Sequence, residues 1–87
     1  MEKYRRNDQI INGELDDNQV MMNVEKGKYF GLNAIGKCIW DFLTQPKSFS
    51  KITTHLLSKY EVSEEQCKKE VKEFLDKAEK CGIILHD

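Results

Sequence analysis

The chain carries few residues whose types and spacing suit covalent chemistry. Its three cysteines, Cys38, Cys67 and Cys81, lie 29 and 14 residues apart. Those spacings match neither a zinc nor a dithiol redox template. Cys38 and Cys67 fall on the apolar stripes of predicted helices, where a thiol packs as a small hydrophobe and stays inert. An odd, unpatterned count predicts reduced thiols in a reducing compartment. His55 and His86 have no partner pattern that would build a metal site. Asp16-Asp17 offers adjacent carboxylates, yet no base, metal ligand or nucleophile accompanies them, so they read as a solvated turn. Gly27, Gly31 and Gly36, spaced by four and five, do not form a phosphate loop. No catalytic residue, metal or cofactor is expected.

What remains are backbone and aromatic features, and these depend on the elements that hold them. Ile10 to Leu15 reads as a short strand. Asp16-Asp17-Asn18 is turn chemistry, because short polar side chains bond the local backbone. Gln19 to Val24 reads as a second strand, with Val20, Met22 and Val24 on one face. Glu25-Lys26-Gly27 is the next turn, and Lys28 to Leu32 the third strand. Two tight connections in series give an antiparallel meander, with the third strand at an edge.

Asn33 is placed to cap a first helix from about Ala34 to Leu43, with Ile35, Ile39, Phe42 and Leu43 as its stripe. Trp40 lies off that stripe and should meet another element. Pro46 closes the region. Ser50 is expected to cap a second helix to about Tyr60, with Ile52, Leu56 and Tyr60 at spacing four. Ser63-Glu64-Glu65-Gln66 fits a capping box. The third helix then runs from about Glu64 to Cys81, with Cys67, Val71, Phe74, Leu75 and Ala78 inward and Gly82 just past its end. Ile83-Ile84-Leu85 is an apolar tail pressed onto the core. The expected fold is α+β: a three-stranded antiparallel sheet followed by three helices in one domain spanning 1–87, ordered from about 10 to 85.

The 87 residues leave no room for two cores, and the net charge of -1 argues against a polybasic membrane or nucleic-acid binder. The N-terminus lacks an apolar signal core and no run is long enough to span a bilayer, which predicts a cytoplasmic protein without membrane contact. The most suggestive feature is the edge strand. Lys28 blunts it weakly and no proline interrupts it. An exposed edge is a template for an extended peptide, with main-chain bonds giving affinity and pockets giving specificity. Tyr29 and Phe30 point to opposite faces, so one packs inward while the other is free to line a groove.

Gly27-Lys28-Tyr29-Phe30-Gly31-Leu32-Asn33-Ala34-Ile35-Gly36, followed by Ile39-Trp40, resembles the PqqD family. The helix from Val62 to Leu75 continues the likeness, with Glu70 in place of the usual Asp. The resemblance covers about residues 10 to 85. It implies a winged helix-turn-helix-like fold and a non-catalytic role, recognition of the leader segment of a ribosomally made precursor peptide. It also implies that the leader adds as a strand beside the third strand and lies against the third helix. Carried onto this chain, the strand side is Lys28, Tyr29, Phe30, Gly31 and Leu32. On the helix side, the flank of Lys68, Lys72, Leu75 and Glu79, with Asp76 beside it, is preferred over that of Glu70 and Lys77. Its lysines would pair with acidic leader residues, and Val71 and Leu75 would floor an apolar pocket. The implied partners are the precursor peptide and a leader-cleaving protease and cyclase of lasso-peptide synthesis, whose standalone domains this chain resembles. The alternative is a peptide chaperone for a radical enzyme in quinone cofactor synthesis.

Two further readings compete. A winged-helix DNA-binding protein is disfavoured by charge, because residues 34–60 carry net +3 (four Lys, one Asp) and residues 61–87 net -3 (five Lys, eight acids). The helix that would enter a groove lies in the acidic part, where phosphate contacts are diluted. Homodimerisation through the edge strand is compatible with peptide binding.

Overall fold

The computed structural model describes residues 2–15 and 18–86. The order is β1 (Tyr4–Arg6), β2 (Ile10–Leu15), β3 (Asn18–Asn23), β4 (Lys28–Gly31), α1 (Ala34–Phe42), α2 (Phe49–Lys59), α3 (Glu64–Lys80) and β5 (Ile84–His86). β2, β3 and β4 form the expected antiparallel meander in that spatial order. Its register places Met22 opposite both Ile11 and Tyr29, and Met21 opposite Phe30. The turn expected at Asp16-Asp17 lies outside the described residues. Gly27, at φ 64°, closes the second turn in a conformation that disfavours any Cβ.

Met21 and Asn23 point inward, so Val20, Met22 and Val24 form the outer face. Helices cover the inner face. Met21, Ile39, Ile52, Val71 and Ile83 are wholly sealed there. Each such side chain contributes roughly 1.5–3 kcal/mol of hydrophobic stabilisation.

Beyond the three predicted strands there is a second, two-stranded sheet. β1 pairs antiparallel with β5, bringing Tyr4 opposite His86. The apolar tail is therefore a strand, and the chain is already paired well before Ile10. Tyr4 also exchanges backbone bonds with Lys47, at 2.8 and 3.0 Å. The Arg6 guanidinium lies 4.8 Å from the centre of the Trp40 ring and donates from Nε to the Trp40 carbonyl at 2.9 Å. Arg6 is thus the partner that Trp40 needs off the helix stripe.

The helix ends follow local rules, with two differences. Asn33 Oδ1 accepts from the Gly36 amide at 2.8 Å, as a cap should. The cap of α2 is Ser48, accepting from Lys51 N at 3.2 Å, not Ser50. Starting two residues earlier brings Phe49 into the helix and half-buries it against the core. Ser63 accepts from Gln66 N at 3.1 Å, but the Gln66 side chain reaches forward to Glu70 instead of back to the cap. α3 ends in a Schellman motif: Gly82 N bonds Glu79 O at 3.0 Å and Ile83 N bonds Ala78 O at 2.9 Å, with Gly82 at φ 73°.

Candidate functional site

β4 is an outer strand of its sheet, and no strand pairs with its far side among the described residues. Alternate residues of such a strand turn their amide and carbonyl groups outward, unpaired. Beside this edge the inner face of the sheet meets α3. Phe30 reaches from β4 to Phe74, and their rings pack edge to face with centres 5.7 Å apart. The contact exists because α1 yields space. A Cβ on Gly36 would stand 2.8 Å from Phe74 Cε1.

The two rings form the floor of a cleft of about 240 Å³. Asn33 and Ile35 close one side, while Glu70, Glu73 and Lys77 of α3 close the other. Glu70 accepts a bond from Gln66 Nε2 at 3.2 Å. Past Ile35 and Glu70 the cleft adjoins a small slot of about 40 Å³, bounded by Leu56, Tyr60, Val62 and Cys67.

The strand residues expected at the site divide by face. Phe30 lines the cleft. Tyr29 stands on the outer face and is 70% exposed. Lys28 and Gly31 are exposed along the edge, and Leu32 turns into the core. On the helix side, the cleft does not border the flank expected to meet the peptide. The flank of α3 that borders the cleft is that of Glu70 and Lys77. Lys68 and Lys72 lie on the opposite flank, where they pair with Glu64 at 3.2 Å and Asp76 at 4.0 Å. Glu79 lies there too and meets His86 Nδ1 at 3.2 Å. The β1–β5 ribbon occupies that side. Burial, then the charges of Glu79, Glu2 and Asp76, push the Tyr4 phenol above its ordinary value. Val71 and Leu75 are sealed inside the core and do not floor the cleft; Phe74, one step around the helix, does.

Ile35, Glu70, Glu73, Phe74 and Lys77 are thus the cleft residues that sequence reasoning did not select. Phe74 had a signal, its place at the margin of the apolar stripe. The choice between flanks had none, because it depends on which side of α3 the sheet packs.

The thiols show no arrangement for nucleophilic work. Cys67 is buried with its Sγ 3.7 Å from the Thr53 carbonyl. Burial first, then Glu70 and Glu64, raise its pKa and favour the unreactive thiol. Among the described residues no cluster of three His, Cys, Asp or Glu is placed to hold a metal, and no helix is long and apolar enough to cross a membrane.

A free sheet edge beside a helix-walled cleft defines the architecture: a small α+β domain with one strand edge open to a further strand. The profile of the family described as coenzyme PQQ synthesis protein D (PqqD) matches residues 18–84. The chain belongs to the PqqD family. Among solved structures it is similar to TbiB1 in complex with the TbiA(beta) leader peptide, at 25% identity and a TM-score of 0.77, over 92% of this chain and 93% of that one. A lasso peptide synthetase B1 complexed with its leader peptide shares the fold, at 22% identity and a TM-score of 0.77, over 94% of this chain and 96% of that one. No curated protein sequence matches.

Proposed function

We propose that this protein binds the leader segment of a ribosomally made precursor peptide. The leader adds as a strand to the free edge of β4, and its side chains on the inner face enter the cleft against α3. The observation that carries this reading is the unpaired β4 edge directly beside the Phe30–Phe74 cleft. Main-chain bonds supply affinity that any extended peptide would share, and the cleft supplies discrimination. The similarity to TbiB1 bound to a leader peptide supports it. In this reading the site comprises Lys28 to Leu32 on the strand and Phe74 with its neighbours on the helix.

The protein performs no chemistry of its own. It presents the peptide, in the cytoplasm, to a leader-cleaving protease and a cyclase of lasso-peptide synthesis. The family description favours a second reading, delivery of a peptide to a radical enzyme in quinone cofactor synthesis. The neighbouring genes distinguish the two: a protease and an asparagine-synthetase-like cyclase mark the first, a radical enzyme the second. Two copies paired edge to edge through β4 would compete with the leader, so a dimer, if formed, should dissociate on peptide binding.

Titration of a fluorescein-labelled leader peptide tests the binding itself. Saturable binding that Phe30→Ala and Phe74→Ala both weaken is the expected result. Undiminished binding in both variants would remove the cleft from the mechanism.

A further inference from the structure

The wall of the cleft carries more negative than positive charge. Glu70 and Glu73 supply two carboxylates, and Lys77 stands one turn of α3 beyond Glu73. Among the described residues no lysine or arginine lies within 4.0 Å of either carboxylate. By contrast, the lysines of the other flank are already matched, Lys68 to Glu64 and Lys72 to Asp76. The floor between is apolar, made by the rings of Phe30 and Phe74, with Ile35 beside it. Same-face side chains in a strand recur every second residue, roughly 6.8 Å apart. Glu70 and Phe74 are one helical turn apart, about 6 Å along the axis. A strand running beside α3 can therefore seat one side chain on the rings and its same-face neighbour at Glu70, with Glu73 between the two levels.

We infer that the peptide taken by this cleft carries an apolar side chain on its inward face and a lysine or arginine two residues away. The inference rests on the leader-binding reading and specifies the leader. It inverts the charge expected when the other flank is assigned to the site. The apolar residue is desolvated between Phe30 and Phe74. The cation answers Glu70 and Glu73 at the rim, where it governs which peptides are rejected more than how tightly the best one binds. An acidic residue in its place would face two carboxylates.

The test uses two short fluorescein-labelled peptides of alternating threonine and glutamine, a background with no charge and no large apolar side chain. Each has one central tyrosine. One carries lysine two residues to either side of it, the other glutamate. Two further versions of the lysine peptide are N-methylated on alternate backbone amides, one in each register. Anisotropy titrations at low salt should favour the lysine peptide by roughly tenfold, with the preference falling in high salt. In Glu70→Gln/Glu73→Gln, shown folded by circular dichroism, the preference should fall below about twofold. Equal or tighter binding of the glutamate peptide, or a preference unchanged in the double variant, overturns the inference. N-methylation separates this from the parent reading. If one methylated register abolishes binding while the charge preference is absent, strand addition stands and the inference fails. If neither register matters, strand addition itself fails. Binding of neither parent peptide counts against both.

Discussion

The ring of Phe74 occupies the space that a β-carbon on Gly36 would need, with Cε1 2.8 Å from that position. Exchanging a glycine inside a helix for alanine ordinarily stabilises by about 0.5–1 kcal/mol. Here the added methyl must displace an aromatic ring that is itself packed on Phe30. Gly36→Ala is therefore expected to destabilise, by roughly 1–3 kcal/mol. Urea unfolding of the variant decides the sign, and a raised midpoint would show that Phe74 can retreat freely.

The two flanks of α3 should respond differently. In the proposed site, Phe74→Ala removes half of the aromatic floor and should weaken leader binding about tenfold or more. Lys68→Ala and Lys72→Ala, across the helix, should leave affinity within about twofold, since each breaks only an exposed ion pair. Leu75→Ala is a stability variant: the side chain is 1% exposed, and its truncation should cost about 2–5 kcal/mol. Titration and unfolding run side by side separate these effects. A lysine variant that lost binding without losing stability would return the site to the other flank.

Asn23 is buried in β3 and donates to the carbonyls of Cys81 and Gly82, at 3.1 and 3.3 Å. It also accepts from Lys26 N at 3.2 Å. It joins the second turn of the meander to the end of α3. Asn23→Leu takes this partner from the Cys81 carbonyl and the Lys26 amide, while the Gly82 carbonyl keeps its bond from Asn7 Nδ2 at 2.7 Å, and a loss of about 1–3 kcal/mol is expected. A Cβ at position 82 would lie 2.5 Å from Asn23 Nδ2, on a backbone already at positive φ. Gly82→Ala should thus lower stability as well. The two variants should be less than additive, because both disrupt one junction. A double-variant unfolding cycle measures that coupling.

His55 stacks on Phe42 with ring centres 4.0 Å apart. Burial, and secondly the charge of Lys59, hold its pKa below the ordinary value. The unfolded chain then binds a proton more readily than the folded one. The stability His55 contributes is complete above the unfolded value of about 6.5 and is lost as pH falls through the lower folded value. Denaturation midpoints should therefore decline on acidification below about pH 6.5, and less steeply in His55→Gln. Equal slopes in the two proteins would exclude His55 as the titrating group.

The legible parts of this fold were those written locally. Asn33, Ser63 and Gly82 act at their own helix ends, and Gly27 at its own turn, so type and spacing sufficed. Ser48 and Ser50 are equally good caps, and burial of Phe49 chose between them. β1 was silent because Tyr4-Arg5-Arg6 has no apolar alternation; what makes it a strand is β5, at the far end of the chain. The free edge of β4 was readable from two consecutive turns. The helix flank facing it was not, since periodicity fixes which residues of α3 lie inward and says nothing about which side the sheet approaches from.

The β1–β5 pairing joins Tyr4 to His86 and so closes a loop of nearly the whole chain. Closing a loop of that length costs roughly 4 kcal/mol of chain entropy. The short meander turns and the helices carry no comparable cost. Folding should therefore begin in the middle of the chain and finish with its two ends. In the native state the ribbon fastens both ends of the chain to the core, through Ile84 at 1% exposure and the bonds of Tyr4 and Arg6 to Lys47 and Trp40, on the side of α3 away from the cleft.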